Sequence, residues 1–170
     1  MSREKRKFLF SGLGVACFVI AGCAFAPKAS TLDSPSSLWR GRLAVKVDAD
    51  ENDRLGRSLT AGFELTGNAI EGGLTLFTPL GGTAAVLTWS EAHASLLSQS
   101  TTRYYSSLKV LIEQAVGTDI PVNALFAWID GTNASADGWT VDVTDYNNGR
   151  ISAKRTNPGP TAELKIVLER

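Results

Sequence analysis

Leu59-Thr60-Ala61-Gly62-Phe63-Glu64-Leu65-Thr66-Gly67-Asn68 is the stretch that decides the fold. Leu59, Ala61, Phe63 and Leu65 recur at every second residue, the period of a strand with one apolar face, and Thr66-Gly67-Asn68 is a tight turn. Upstream the same period runs through Leu43, Val45 and Val47, with the charged residues 50–57 as the intervening turn. Downstream it returns in Leu74 and Leu76, then in Leu87 and Trp89. Consecutive short strands joined by tight turns form an antiparallel meander, not a crossover sheet. Gly72-Gly73 inside the third run marks a bulge or a sharp bend.

Past residue 105 the period changes. Ser107 or Ser106 suits an N-cap, and Leu108, Leu111, Ile112, Ala115 and Val116 fall at i, i+3, i+4, i+7 and i+8. Gly117 is placed to end that helix in the left-handed region. A second short helix fits residues 121–131, with Pro121 in its first turn and Gly131 as its stop. Strand patterning resumes in Trp139, Val141 and Val143, in residues 150–155, and in Leu164, Ile166 and Leu168. The fold class is therefore mainly β with a helical insertion: a strongly curved antiparallel sheet whose open side the helices can plug. No repeat at solenoid spacing is present.

The N-terminus speaks to compartment. A basic segment at residues 2–7 leads into an apolar run at residues 8–20, too short for a bilayer of about 30 Å. Ile20-Ala21-Gly22-Cys23 closes it in the pattern of a bacterial lipoprotein signal, in which Cys23 becomes the lipidated first residue. Residues 1–22 are then a signal peptide, residues 23–37 a lipidated terminus and proline-punctuated flexible tether, and residues 38–170 one domain. The full chain has 17 Lys/Arg and 17 Asp/Glu; the leader holds four of the former and one of the latter, so the mature chain carries 13 and 16, net −3. A weakly acidic, mixed surface argues against nucleic acid as a partner. Cys17 leaves with the leader, so no disulfide can form within the mature domain. Several acyl chains on Cys23, each CH₂ worth about 0.8 kcal/mol when buried, would hold the protein to a membrane.

Catalytic constellations are missing. His93 is the single histidine, it lies in the turn-like run Ser90-Glu91-Ala92-His93-Ala94, and no Gly-x-Ser-x-Gly accompanies it. Gly72-Gly73 and Gly81-Gly82 lack the helix and lysine of a phosphate loop. The carboxylates are scattered through turns. Arg42, Arg54 and Arg57 could meet an acidic partner, and an ordinary solvated face explains them equally well.

One internal segment departs from the usual chemistry of turns. In Leu74-Thr75-Leu76-Phe77-Thr78-Pro79-Leu80-Gly81-Gly82-Thr83 two strands meet through Pro-Leu-Gly-Gly, and Leu80 stands where a polar residue is expected. The simplest reading folds Leu80 back onto the core. The other is an exposed apolar tip, which costs solubility and so wants a purpose such as touching lipid.

Taken in order, Cys23 with its lipobox, Trp39-Arg40-Gly41-Arg42-Leu43-Ala44-Val45, the Thr-Pro-Leu-Gly loop, Gly117-Thr118-Asp119-Ile120-Pro121-Val122, Leu125, Trp128-Ile129, Gly131 and Gly138-Trp139 resemble the LolB family of outer-membrane lipoprotein receptors. The chain departs from that family at its end, stopping at Glu169-Arg170 without a closing Trp, and its last strands look abbreviated around Asn157-Pro158-Gly159-Pro160. The resemblance implies a half-open antiparallel β-barrel with an α-helical lid over an apolar cavity, as in the LolA/LolB fold. Phe63, Leu65 and Leu76 would line it from the sheet, and Leu108, Leu111, Ile112, Leu125 and Trp128 from the lid, although residues in these places also serve as plain core. It implies a monomer, not an enzyme, that takes acylated lipoproteins from the periplasmic carrier LolA and inserts them into outer-membrane lipid. The receptor would be anchored on the periplasmic face through N-acyl diacylglycerol at Cys23, with no other cofactor. Ala24, in place of Asp, fits outward sorting, and Pro79, Leu80 and Gly81 would form the membrane-insertion loop. A structural lipoprotein scaffolding an outer-membrane machine is the alternative; its sheet interior would be packed solid. A periplasmic hydrolase on a lipocalin-like frame lacks its catalytic set.

Overall fold

Nine strands form one continuous antiparallel sheet in the computed structural model, which describes residues 37–51 and 54–170. The leader, Cys23 and the tether up to residue 36 lie outside the described residues. Strands β1 (Leu38–Val47), β2 (Arg57–Gly67), β3 (Gly72–Phe77), β4 (Thr83–Trp89), β5 (Ala94–Ser98) and β6 (Thr101–Tyr105) follow one another as the meander that the alternation predicts. Helices α1 (Leu108–Val116) and α2 (Val122–Ile129) come next, then β7 (Trp139–Asp142), a 3₁₀ turn at Tyr146–Asn148, β8 (Arg150–Arg155) and β9 (Ala162–Leu168). Strand β9 returns to pair with β1, so the spatial order is β6-β5-β4-β3-β2-β1-β9-β8-β7. Strands β6 and β7 are the two free edges, and the sheet does not close. The C-terminal strands, which look abbreviated in the sequence, build continuous ladders: β9 pairs with β1 from Gly41↔Leu168 to Val47↔Ala162, and β8 pairs with β9 from Arg150↔Val167 to Arg155↔Ala162.

The register places the apolar residues in rows. Val45 faces Leu59 on one side and Leu164 on the other; Leu65 faces Leu74, which faces Leu87, which faces Leu96. Since side chains alternate across a strand, these rows all lie on one face, and the opposite face carries pairs such as Arg40 Nε to Glu64 Oε2 at 3.0 Å. The third strand corrects one expectation. The register shift lies at Leu76/Phe77, not at Gly72-Gly73. Gly72 instead admits the Trp89 indole: a Cβ there would sit 2.5 Å from the ring and 2.3 Å from the Thr66 carbonyl oxygen. Gly72→Ala is expected to lower stability by about 1–3 kcal/mol through overpacking, read as a lower denaturant midpoint with an unchanged slope.

Hairpin β5–β6 has no counterpart in the sequence-based expectation. It turns through Gln99 and Ser100 at φ 50° and 63°, the left-handed region, without the Asn or Gly that usually announces such a turn. Helix α1 matches its signals. Ser107 Oγ accepts from Val110 N at 3.3 Å, and Gly117, at φ 82°, donates its N–H to Glu113 O at 2.8 Å. Among the described residues no helix is long and apolar enough to cross a membrane.

Candidate functional site

A lone amphipathic helix must bury its stripe, and a curved sheet with an apolar concave face needs a cover; here each meets the other's need. Helix α1 packs against β5, β6 and β2. Its C-terminal end is held by Arg57, whose Nη1 donates to the Gln114 carbonyl at 3.0 Å, so this arginine, read above as a solvated or partner-facing cation, braces the cover. At its N-terminal end Lys109 Nζ lies 2.9 Å from Asp119 Oδ2, in the link to α2. The hydrogen bond and the charge of Asp119 hold the Lys109 ammonium above its ordinary pKa.

The two surfaces do not meet solidly. Between them remains a cavity of about 260 Å³ whose lining is apolar apart from Ser98. Leu43, Val45, Phe63, Leu65, Leu74, Leu76, Leu87, Trp89 and Leu96 form its floor and walls; Leu108, Leu111, Ile112, Val116, Val122, Leu125, Phe126 and Ile129 form its roof. A hollow so lined cannot repay water its lost hydrogen bonds and favours hydrocarbon. Its size is near the lower bound for pockets that enclose drug-sized ligands, about 300 Å³.

Of the residues singled out in the sequence, Phe63, Leu65, Leu76, Leu108, Leu111, Ile112 and Leu125 come together around this cavity. Trp128 does not line it. Its side chain is fully buried on another face of α2, 6.0 Å from the Trp139 ring by centroids, with Nε1 donating to the Ala134 carbonyl at 2.8 Å. The roof residues that sequence reasoning did not assign to the cavity include Val116, Val122, Phe126 and Ile129. Phe126 is the clasp: its ring meets Trp39 edge-on at 5.7 Å and lies 6.4 Å from Trp89, so one side chain of the roof engages two aromatics of the sheet. Trp89 is itself fixed by its Nε1, which donates to the Asn68 carbonyl at 2.9 Å.

Leu80 corrects the simplest reading of its loop. It does not fold back: the side chain is 98% exposed at the tip between β3 and β4. The loop beneath it is ordered by backbone bonds from Thr78 N to Gly82 O at 2.8 Å and from Gly81 N to Thr78 O at 2.9 Å, with Gly82 N donating to Thr78 Oγ1 at 3.1 Å. Pro79 and Gly81 flank Leu80 and are exposed with it. His93 sits in an exposed turn, its carbonyl accepting from Ser90 N at 2.9 Å. Among the described residues no group of His, Cys, Asp or Glu could hold a metal ion.

Comparison with known proteins gives the same architecture a name. Residues 38–159 match the family model described as outer membrane lipoprotein LolB. The outer-membrane lipoprotein LolB of Bordetella petrii is 25% identical, over 96% of this chain and 92% of its own length. That of Ralstonia nicotianae is 28% identical, over 92% of this chain and 93% of its own. An open antiparallel sheet roofed by two helices, matched over most of its length, makes this chain a member of the LolB family of outer-membrane lipoproteins.

Proposed function

We propose that the protein is a lipoprotein receptor that accepts acylated lipoproteins from the periplasmic carrier LolA and inserts them into the outer membrane. The observation that carries this reading is the unfilled apolar cavity beneath a roof held by side-chain contacts. Acyl chains cross water slowly because each exposed CH₂ costs about 0.8 kcal/mol, so a relay needs a shielded seat at each stage. Transfer without an energy source runs towards the tighter seat. A gain of about 1.4 kcal/mol between carrier and receptor already biases the exchange tenfold. The final step, into the bilayer, is favoured by the far larger burial available there.

Two further parts belong to this reading. Cys23, acylated, holds the domain at the periplasmic face of the membrane, and the residues up to 37 tether it. Leu80, flanked by Pro79 and Gly81, enters the bilayer surface and conducts cargo from cavity to lipid. Scaffolding of an outer-membrane machine fits less well, since a scaffold has no use for an unfilled hollow. The test is to mix a form lacking Cys23 with lipoprotein-loaded LolA and follow the cargo by co-purification. Cargo is expected to move to the receptor domain and to displace a hydrophobic fluorophore from it. Cargo that stays on the carrier while the domain is folded removes the receptor assignment.

A further inference from the structure

The outer face of the sheet is divided by chemistry. Around β1 it carries charge: Arg42 and Lys46 of β1, Glu64 of β2, Lys154 of β8, and Glu163 and Lys165 of β9 all point away from the apolar rows. On β3 to β6 the same face carries none. There Thr75 pairs with Val86, Val86 with Leu97 and Leu97 with Thr102; in the next row Thr88 pairs with Ser95 and Ser95 with Tyr104. The border is sharp, since Glu64 and Thr75 are cross-strand neighbours. Arg103 is the single charged residue of β3 to β6, and it lies on the other face, opposite the cavity-lining Leu96. The hydroxyls of Thr88 and Ser95 bond each other at 2.7 Å, which lowers their demand for water. Leu97 is 43% exposed and Tyr104 76%. A solvated wall of this extent without charge is unusual and marks a contact surface.

Its position says what it contacts. The neutral wall is the one that bears the Leu80 loop, between β3 and β4, and the nearest acidic turn residues, Glu71 and Glu91, stand at the opposite end of these strands. A second copy pairing edge to edge about the centre of β6 would set Arg103 against Arg103, and like charges directly opposed are destabilising. A protein partner needs a well-packed apolar centre, whereas this wall offers two large exposed side chains among hydroxyls. A bilayer surface sets no such demand on shape, and a tyrosine suits its boundary between headgroup and hydrocarbon. We infer that the outer face of β3 to β6 lies against the headgroups of a zwitterionic bilayer through Leu97 and Tyr104, alongside the inserted Leu80. The inference rests on the reading of Leu80 given above and deepens it, because it fixes which wall of the half-barrel faces the membrane. It also brings the free edge β6, one strand from the cavity-lining Leu96, to the lipid surface.

The test places the acylated full-length protein on phosphatidylcholine vesicles containing a lipid with a nitroxide quencher near its headgroup. A polarity-sensitive nitrobenzoxadiazole label is attached in turn through Leu97→Cys, Tyr104→Cys, Leu80→Cys and, on the charged half, Lys165→Cys. These side chains are exposed, so the variants are expected to fold, and thermal unfolding verifies it. Labels at 97 and 104 are expected to shift their emission to the blue and to be quenched several-fold more strongly than the label at 165. The contrast should be the same at low and high salt, because no ion pair contributes to it. Quenching at 80 without quenching at 97 and 104 overturns the wall contact and leaves the Leu80 reading standing; quenching at none of the three overturns both. Equal quenching at 165 and 104 reduces the effect to nearness imposed by the anchor and overturns the wall contact. Shielding of 97 and 104 by LolA in solution, with none on vesicles, assigns the wall to a protein and overturns it as well.

Discussion

Replacing Leu80 with glutamate should cut the incorporation of carrier-bound lipoprotein into liposomes by tenfold or more while leaving the fold unchanged. The leucine is 98% exposed, so its removal costs no packing, and the bonds that shape its loop run through Thr78, Gly81 and Gly82. What disappears is the gain of about 1.5–3 kcal/mol from placing a leucine in lipid, equivalent to roughly ten- to a hundredfold in membrane residence. The charged carboxylate adds a further cost of desolvation at the bilayer surface. The check pairs two measurements: thermal unfolding, expected to be unaltered, and transfer of labelled lipoprotein from LolA to vesicles. Normal transfer by the glutamate variant would remove Leu80 from the delivery step.

Trp128→Ala should act in the opposite sense, with a large loss of stability and little change in ligand binding per folded molecule. Its indole is wholly buried, stacks obliquely on Trp139 and holds the Ala134 carbonyl through Nε1. Truncation of such a side chain costs about 3–5 kcal/mol, a large share of the 5–15 kcal/mol that stabilises a typical domain. The melting temperature should fall by roughly ten degrees or more. Because Trp128 does not line the cavity, a hydrophobic fluorophore should bind the variant with unchanged affinity at temperatures where it stays folded. A variant of normal stability but weakened fluorophore binding would mean that Trp128 belongs to the roof after all.

That residue also shows where the sequence stopped being readable. Helix α2 is Val-Asn-Ala-Leu-Phe-Ala-Trp-Ile, apolar nearly all round, so periodicity cannot tell the face that meets the cavity from the face that meets β7. Leu125 and Trp128, one turn apart, look like a single stripe, yet only Leu125 reaches the hollow. Helix α1 was legible because polar residues interrupt it: Lys109, Glu113 and Gln114 mark the outer face, and Ser107 and Gly117 mark the ends. The long strands were legible for the same reason, each alternating between an apolar row and solvent. Hairpin β5–β6 was not. Strand β6 is Thr-Thr-Arg-Tyr-Tyr and exposed along nearly its whole length, so no burial pattern was written into it. Its turn, built on Gln99 and Ser100, hides a left-handed geometry behind ordinary residues. Leu80 is the converse case: its identity was plain, but only the fold shows that nothing packs over it.

The unpaired edges of the sheet have a mechanical consequence. In a cylinder stitched all the way around, girth is fixed by strand number and stagger, and enlarging the lumen means tearing a row of amide bonds. Here β6 and β7 are not stitched to each other, so the wall can spread like an unbuttoned collar at no loss of backbone bonding. Under the proposed receptor function, such a wall would let one molecule seat proteins bearing different numbers and lengths of fatty tails, without the limit of a fixed bore.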